Sequence, residues 1–235
     1  MLLNLRRDLQ SLTDFEQAKV LQKFFKTGKG EYGEGDVFLG LNSQQIKDVA
    51  KKFQNLNLKN IQELINSKIH DERMCGLRIL LHQYKKAKKD YVKKRKIFEF
   101  YLDNSKKINN WDLVDVSAPN IVGDFLLREN TGILKKFAIS ENLWEKRIAI
   151  VSTYAFIKNK NFGETLAISD ILLNDEHDLI HKAVGWMLRE IGKRNKNVLE
   201  IFLKERYKKM PRTMLRYAIE KFPDGERKKY LKGEI

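Results

Sequence analysis

Phe15, Ala18, Leu21, Phe24 and Phe25 recur at three- and four-residue spacing along DFEQAKVLQKFFKT, the periodicity of an amphipathic helix. The pattern returns through most of the chain. Four stretches read as variants of one helix: ERMCGLRILLHQY (Glu72 to Tyr84), EKRIAIVSTYAFI (Glu145 to Ile157), HKAVGWMLREIGK (His181 to Lys193) and TMLRYAIEKF (Thr213 to Phe222). Each carries a small residue where a neighbouring helix could approach closely, namely Gly76, Ala149, Gly185 and Ala218. These lie 73, 36 and 33 positions apart, so the first gap is about two of the later ones. A helix-pair period in the mid-thirties predicts an α-solenoid.

Shorter helical patterns lie between them, in IFEFYLDN, TGILKKFAIS, FGETLAISDILL and VLEIFLKERY, and supply the partner helix of each pair. Alternating strand patterns of useful length are absent. The expected fold is all-α: one HEAT-like repeat domain over residues 1–235, with about six helix pairs stacked in a curve whose inner helices line a concave, basic groove.

Composition agrees with this picture. Only 3 Pro and 13 Gly interrupt 235 residues, and 42% hydrophobic content is enough for a core. No run of about 18 uncharged apolar residues offers a membrane span, and Arg6, Arg7 and Asp8 come too early for a secretory apolar region. A single cysteine, Cys75, excludes an intramolecular disulfide and a cysteine metal cluster. A reducing intracellular compartment is expected.

Charge narrows the function. Lys and Arg number 46 against 31 Asp and Glu, a net +15 that favours a polyanionic partner, with nucleic acid first. Part of the excess is local: KKAKKDYVKKRK, from Lys85 to Lys96, is a basic run that also reads as a solvated helical face and turn.

Three local motifs suggest chemistry. GKGEYGEG contains a G-x-G-x-x-G in Gly28, Gly30 and Gly33, with Asp48 at the distance of a ribose-binding acid. That fingerprint works only between a strand and a helix. Here a helix precedes it and Asp48 lies inside another helical pattern, so a glycine-permitted interhelical loop is the expected reading. HDLIH, with His177 and His181, approximates a zinc-protease motif, but no histidine follows position 181 as a third ligand, and a polar helix start is preferred. NNWDLVDVSAP, from Asn109 to Pro119, is the sharpest feature. Asn110 is a candidate N-cap, and Trp111 and Asp115 share one helical face at i, i+4. On pattern alone a first-turn acid beside a core tryptophan is the preferred reading, ahead of an active site.

The segments FFKTGKGEYGEGDVFLGL, NNWDLVDVSA, LWEKRIAIVSTY and IHKAVGWMLREIGKRN together resemble the AlkD family of bacterial DNA alkylation repair glycosylases, in family order over nearly the whole chain. The resemblance implies a fold of HEAT-like repeats and a monofunctional glycosylase that releases cationic alkylated purines such as 3-methyladenine and 7-methylguanine from duplex DNA, without metal or cofactor. It implies Asp115 as the residue that stabilises charge and positions water, Trp111 and Trp186 as walls around the lesion nucleotide, and Arg147 as a phosphate holder. Arg189, Lys146 and Lys182 are further expected DNA contacts. It also implies a non-flipping mode, and a monomer in the bacterial cytosol, associated with the nucleoid while scanning DNA. A noncatalytic HEAT-repeat binder of distorted or branched DNA is the alternative, and a protein-interaction solenoid a third reading.

Physical chemistry gives the assignment sense independently. An N3- or N7-alkylated purine is cationic, leaves as a neutral base and needs no general acid. The sugar left behind is oxocarbenium-like and calls for nearby negative charge, which a carboxylate provides. Indole faces attract the same developing cation. Cys75, among Met74, Leu77 and Ile79, is expected to be a buried small hydrophobe, and Trp144 to be core.

Overall fold

The computed structural model describes residues 1–235, whose regular structure is all helical; the one β-type contact is an isolated bridge between Val37 and Ile69. Two compact units result, Met1–Leu113 and Val114–Ile235.

The first unit contains α1 (Leu2–Gln10), α2 (Phe15–Phe24), α3 (Ser43–Lys52), α4 (Leu58–Ile65), α5 (His70–Ala87) and α6 (Tyr91–Asp103), and ends in the first turn of α7 (Trp111–Ala118). Its centre is α5, whose Met74, Cys75, Leu77, Ile79 and Leu80 are buried against Ile61, Leu64 and Ile65 of α4 and Ile46, Val49 and Ala50 of α3. Fully burying a Leu or Ile side chain contributes about 1.5–3 kcal/mol, so this seam dominates the unit's stability. Local signals agree with it. Asn42 and Gln45 close a reciprocal capping box at the start of α3, and Asp14, Asn57 and Asp90 cap α2, α4 and α6.

The second unit continues from α7 through a π-helical turn, Pro119–Gly123, and a short α8 (Asp124–Leu126). There follow α9 (Gly132–Ala138), α10 (Leu143–Ser152), α11 (Tyr154–Lys158), α12 (Gly163–Ile171), α13 (Asp178–Gly192), α14 (Lys196–Lys204), α15 (Arg212–Ala218) and α16 (Asp224–Lys232). The repeat is visible in the starting positions: α10, α13 and α15 begin at residues 143, 178 and 212, about 35 apart, each preceded by its partner, α9, α12 or α14. Ile180, Val184, Met187, Leu188 and Ile191 of α13 form the buried stripe that meets α10 and α15. Gly185 is the point of closest approach, since a Cβ there would lie 2.5 Å from the Met214 carbonyl oxygen and 2.5 Å from Tyr217 Cβ.

One expected helix is two. The stretch from Glu145 to Ile157 breaks at Thr153, whose hydroxyl donates back to the Ile150 carbonyl at 2.6 Å, so α10 ends at Ser152 and α11 starts at Tyr154. A second constraint acts at the same place: a Cβ on Gly123 would lie 2.2 Å from the Ser152 carbonyl oxygen, so the π-helical turn packs directly on the break.

Candidate functional site

Glycine chemistry and acid chemistry separate cleanly in the first unit. The Gly28–Gly35 loop turns through left-handed backbone at Lys26, Gly30 and Gly35. Its amides are satisfied internally, with Gly28 N–H donating to Glu31 Oε2 and Gly30 N–H to Glu34 Oε2, both at 2.8 Å. Carboxylates on those donors repel a phosphate, and the loop is the interhelical connection that its context suggests. What the loop leads into is buried and polar. Asp71, at the start of α5, accepts the Leu39 and Leu41 amides at 2.8 and 3.2 Å, flanking Gly40 at φ +90°.

Beside it lies a network absent from the sequence reading. His70, 3% exposed, contacts Asp36 through Nδ1 at 3.3 Å and Asp112 through Nε2 at 2.9 Å, while Arg73 Nη2 holds the same Asp36 oxygen at 2.6 Å. Burial works against a charged imidazole, but the Asp112 carboxylate and the hydrogen bonds to Asp112 and Asp36 prevail and raise the His70 pKa. Burial likewise opposes ionisation of Asp36, yet His70 and Arg73 lower its pKa. Asn110 joins in, donating from Nδ2 to Asp36 at 3.3 Å and accepting the Trp111 amide at 2.8 Å on Oδ1, so its side chain does serve the start of α7.

Trp111 itself is half-buried and stacks on Phe25 at 5.2 Å between ring centroids; Phe25 in turn stacks on Phe38 at 5.0 Å. Phe24, 60% exposed, meets Trp111 edge-on at 6.0 Å. Adjacent helical residues point about 100° apart, so Phe24 and Phe25 could not both face the core. The doubled phenylalanine was the available signal for a solvent-facing ring beside Trp111.

In the second unit, Asp115 and Arg147 form a two-pronged ion pair. Arg147 Nε donates to Oδ1 at 2.9 Å and Nη2 to Oδ2 at 2.8 Å, while Nη1 donates to the Leu179 carbonyl at 2.8 Å. The guanidinium is 6% exposed and the carboxylate 19%, so the arginine is buried support and the acid keeps a face to solvent. Three of the five guanidinium N–H bonds are thereby engaged. Leu179 lies in the first turn of α13, and Trp186 is two turns further along the same helix, half-buried, with its ring tilted against Tyr154 at 6.1 Å. Lys158 lies 4.6 Å and Arg194 5.7 Å from the centroid of the Tyr154 ring. Tyr154 and its two cations are the second feature not singled out in the sequence, because the tyrosine sits inside an uninterrupted apolar helical period.

The remaining expected DNA contacts already have acidic partners. Lys146 pairs with Asp175 at 2.7 Å, Lys182 with Asp178 at 2.7 Å, and Arg189 with Glu220. Lys182, Trp186 and Arg189 recur at i, i+4, i+7 and share one face of α13. Trp144 is core, 6% exposed, as expected. His177 caps α13 by accepting the Leu179 amide at 3.1 Å, and His181 Nε2 meets the Asp175 carbonyl, so both histidines of HDLIH serve the helix start. Cys75 is fully buried, with burial pushing its thiol pKa up to about 12.

Comparison with known proteins places this architecture. The family model described as DNA alkylation repair enzyme matches residues 5–222. The chain belongs to that family. A structure described as a predicted DNA alkylation repair enzyme from Enterococcus faecalis superposes with a TM-score of 0.70 at 17% identity, covering 90% of this chain and 97% of the other. AlkD2 from Streptococcus mutans gives 0.57 at 20% identity over 89% and 98% of the two chains, and smu.31 from Streptococcus mutans UA159 gives 0.56 at 19% over the same shares. These superpositions show a shared AlkD-like helical-repeat fold. No curated protein matches the sequence. No helix is long and apolar enough to cross a membrane.

Proposed function

We propose that this alkylation repair protein is a DNA glycosylase that hydrolyses the N-glycosidic bond of cationic alkylated purines, such as 3-methyladenine and 7-methylguanine, in duplex DNA. The observation that carries the reading is the partly exposed Asp115 carboxylate held through both oxygens by a buried arginine. In the reaction the C1′–N bond breaks and its electron pair leaves with the base, which departs neutral. Positive charge builds on C1′ and the ring oxygen. Asp115 stabilises that charge and orients a water, whose oxygen bonds to C1′ while its proton passes to solvent. One such preorganised group is typically worth about 10²–10³ in rate.

Arg147 fixes the carboxylate in one rotamer and retains two N–H bonds that a backbone phosphate oxygen could accept from. Trp186 offers an indole face to the developing cation, worth about 0.5–2 kcal/mol, and Trp111 is assigned the same role on the resemblance. Lys146, Lys182 and Arg189 would each exchange a carboxylate for a phosphate on binding, which makes their net contribution small. Monomeric action in a bacterial cytosol is the accompanying expectation.

A second reading has an observation in its favour. Arg147 already balances the Asp115 charge, as expected of a structural pair in a noncatalytic binder of distorted or branched DNA. Incubation with methylated duplex, with free 3-methyladenine and 7-methylguanine measured, decides between them. The glycosylase reading expects release by the wild type and its loss in Asp115→Asn with DNA affinity retained. Binding without release by the wild type selects the noncatalytic reading.

A further inference from the structure

Cations on this chain differ in how far they are neutralised, as two sets show. Arg147, Arg189, Lys146 and Lys182 are each matched by a carboxylate. Lys85, Lys86, Lys88, Lys89, Lys93 and Lys96, all exposed, have no ion-pair partner. These six belong to the basic run, and the fold gathers them. Lys88, at φ +48°, ends α5, and the Asp90 amide returns to the Ala87 carbonyl at 2.8 Å, so the chain reverses within three residues and starts α6. Lysines from the end of α5 and the start of α6 are thereby brought to one place.

That place is a groove of about 630 Å³ lined by Lys86, Lys93 and Lys96 together with Asn55 and Asn57. Its far wall is fixed, because Gln83 Nε2 donates to the Gln54 carbonyl at 2.9 Å and to the Leu56 carbonyl at 2.6 Å. The one acid on the rim, Asp90, is occupied in capping α6 through the Lys93 amide at 3.0 Å. A groove with three unpaired ammonium groups against one carboxylate, with amide donors and a held shape, suits successive phosphates of a backbone.

We propose that the α5–α6 groove binds the phosphodiester backbone of duplex DNA, as a contact separate from the Trp111 region. His70, which touches Asp112, is the first residue of α5 and Ala87 the last, and their separation is about 25 Å along the helix, roughly seven base pairs of duplex. The proposal rests on DNA as the partner in the function proposed above, and is independent of base release.

The test is fluorescence anisotropy of an undamaged duplex of about 25 base pairs against salt concentration, comparing wild type with the triple variant Lys86→Gln, Lys93→Gln, Lys96→Gln. Each lost phosphate contact removes about 0.9 from the log–log salt slope, so the variant is expected to bind at least about tenfold more weakly at low salt, with a slope shallower by about 2–3. The corresponding Lys→Arg triple retains binding, and an unchanged melting temperature shows that the groove variant is folded. A groove variant that matches wild type overturns the proposal. So does an equal loss from the exposed triple Lys204→Gln, Lys208→Gln, Lys209→Gln, or binding of anionic phospholipid vesicles or polyglutamate through the groove lysines as tightly as duplex. Base release is assayed separately on methylated DNA: wild type that binds through the groove without releasing base defeats the glycosylase reading alone, and release with no groove dependence of binding defeats this one alone.

Discussion

Arg147 holds both carboxylate oxygens of Asp115, and the arginine is the more deeply buried of the two. Removing one partner therefore has unequal consequences. Asp115→Ala leaves a buried guanidinium with the Leu179 carbonyl alone, whereas Arg147→Ala leaves an acid that solvent still reaches. In a double-mutant cycle read by denaturant unfolding, a coupling of about 1–3 kcal/mol is expected, below that of a fully buried pair because the carboxylate is partly hydrated. Additive single losses would show that the pair contributes nothing.

The same pair predicts a difference between two basic residues. Arg147→Lys keeps the charge but replaces a planar fork by a single ammonium, so Asp115 loses its second hold. Base release is expected to fall at least tenfold while affinity for undamaged duplex changes little. Equal release by this variant would make orientation of the carboxylate irrelevant.

His70 stands between Asp36 and Asp112, with Arg73 and Asp71 as the other charged neighbours. Because its folded pKa is raised above 6.5, its contribution to stability is complete below pH 6.5 and is lost as pH rises through the folded value. Asp36 has the opposite sign: its lowered pKa stabilises above 3.8 and fails as pH falls through the folded value. Unfolding free energy is thus expected to decline on the alkaline side of 6.5, and His70→Gln to flatten that decline. An unchanged alkaline slope in the variant would remove His70 from the account.

Gly185 predicts a packing result. A methyl group at this position meets backbone on α15, which cannot rotate away, so Gly185→Ala is expected to cost about 1–3 kcal/mol despite the higher helix propensity of alanine. Gly225, with nothing within 4 Å of a built Cβ, is the control, and Gly225→Ala should be neutral or mildly stabilising. Thermal melting of the two variants measures the difference.

Cys75 gives a probe of integrity. With the thiol pKa pushed up to about 12 and the side chain fully buried, a thiol reagent at mildly alkaline pH should leave the native protein unmodified and react once denaturant opens α5. Rapid labelling of folded protein would contradict the packing described.

The sequence was most legible where a single periodicity governed. The repeat near 35 residues, the small residues of α5, α10, α13 and α15, the structural roles of Trp144 and Cys75 and the interhelical nature of the Gly28–Gly35 loop all follow from spacing and local backbone chemistry. Contacts between distant positions were not legible in this way. Asp36, His70 and Asp112 are 34 and 42 residues apart, and no local pattern announces that burial brings them together. The resemblance implies Arg147 as a phosphate holder, and no local pattern shows that Asp115, 32 residues earlier, occupies two of its donors. The break at Thr153 was hidden for a related reason: the apolar period continues across it, and besides the Thr153 hydroxyl bond it coincides with the packing of the distant Gly123 on the Ser152 carbonyl.

That interruption separates two registers. Arg147 belongs to α10 and Tyr154 opens α11, so a residue gained or lost at Thr153 would swing Tyr154 and the side chains after it by about 100° without rotating the guanidinium at all. Evolution is left with an aromatic shelf it can re-aim and an acid–base clamp that stays where it is.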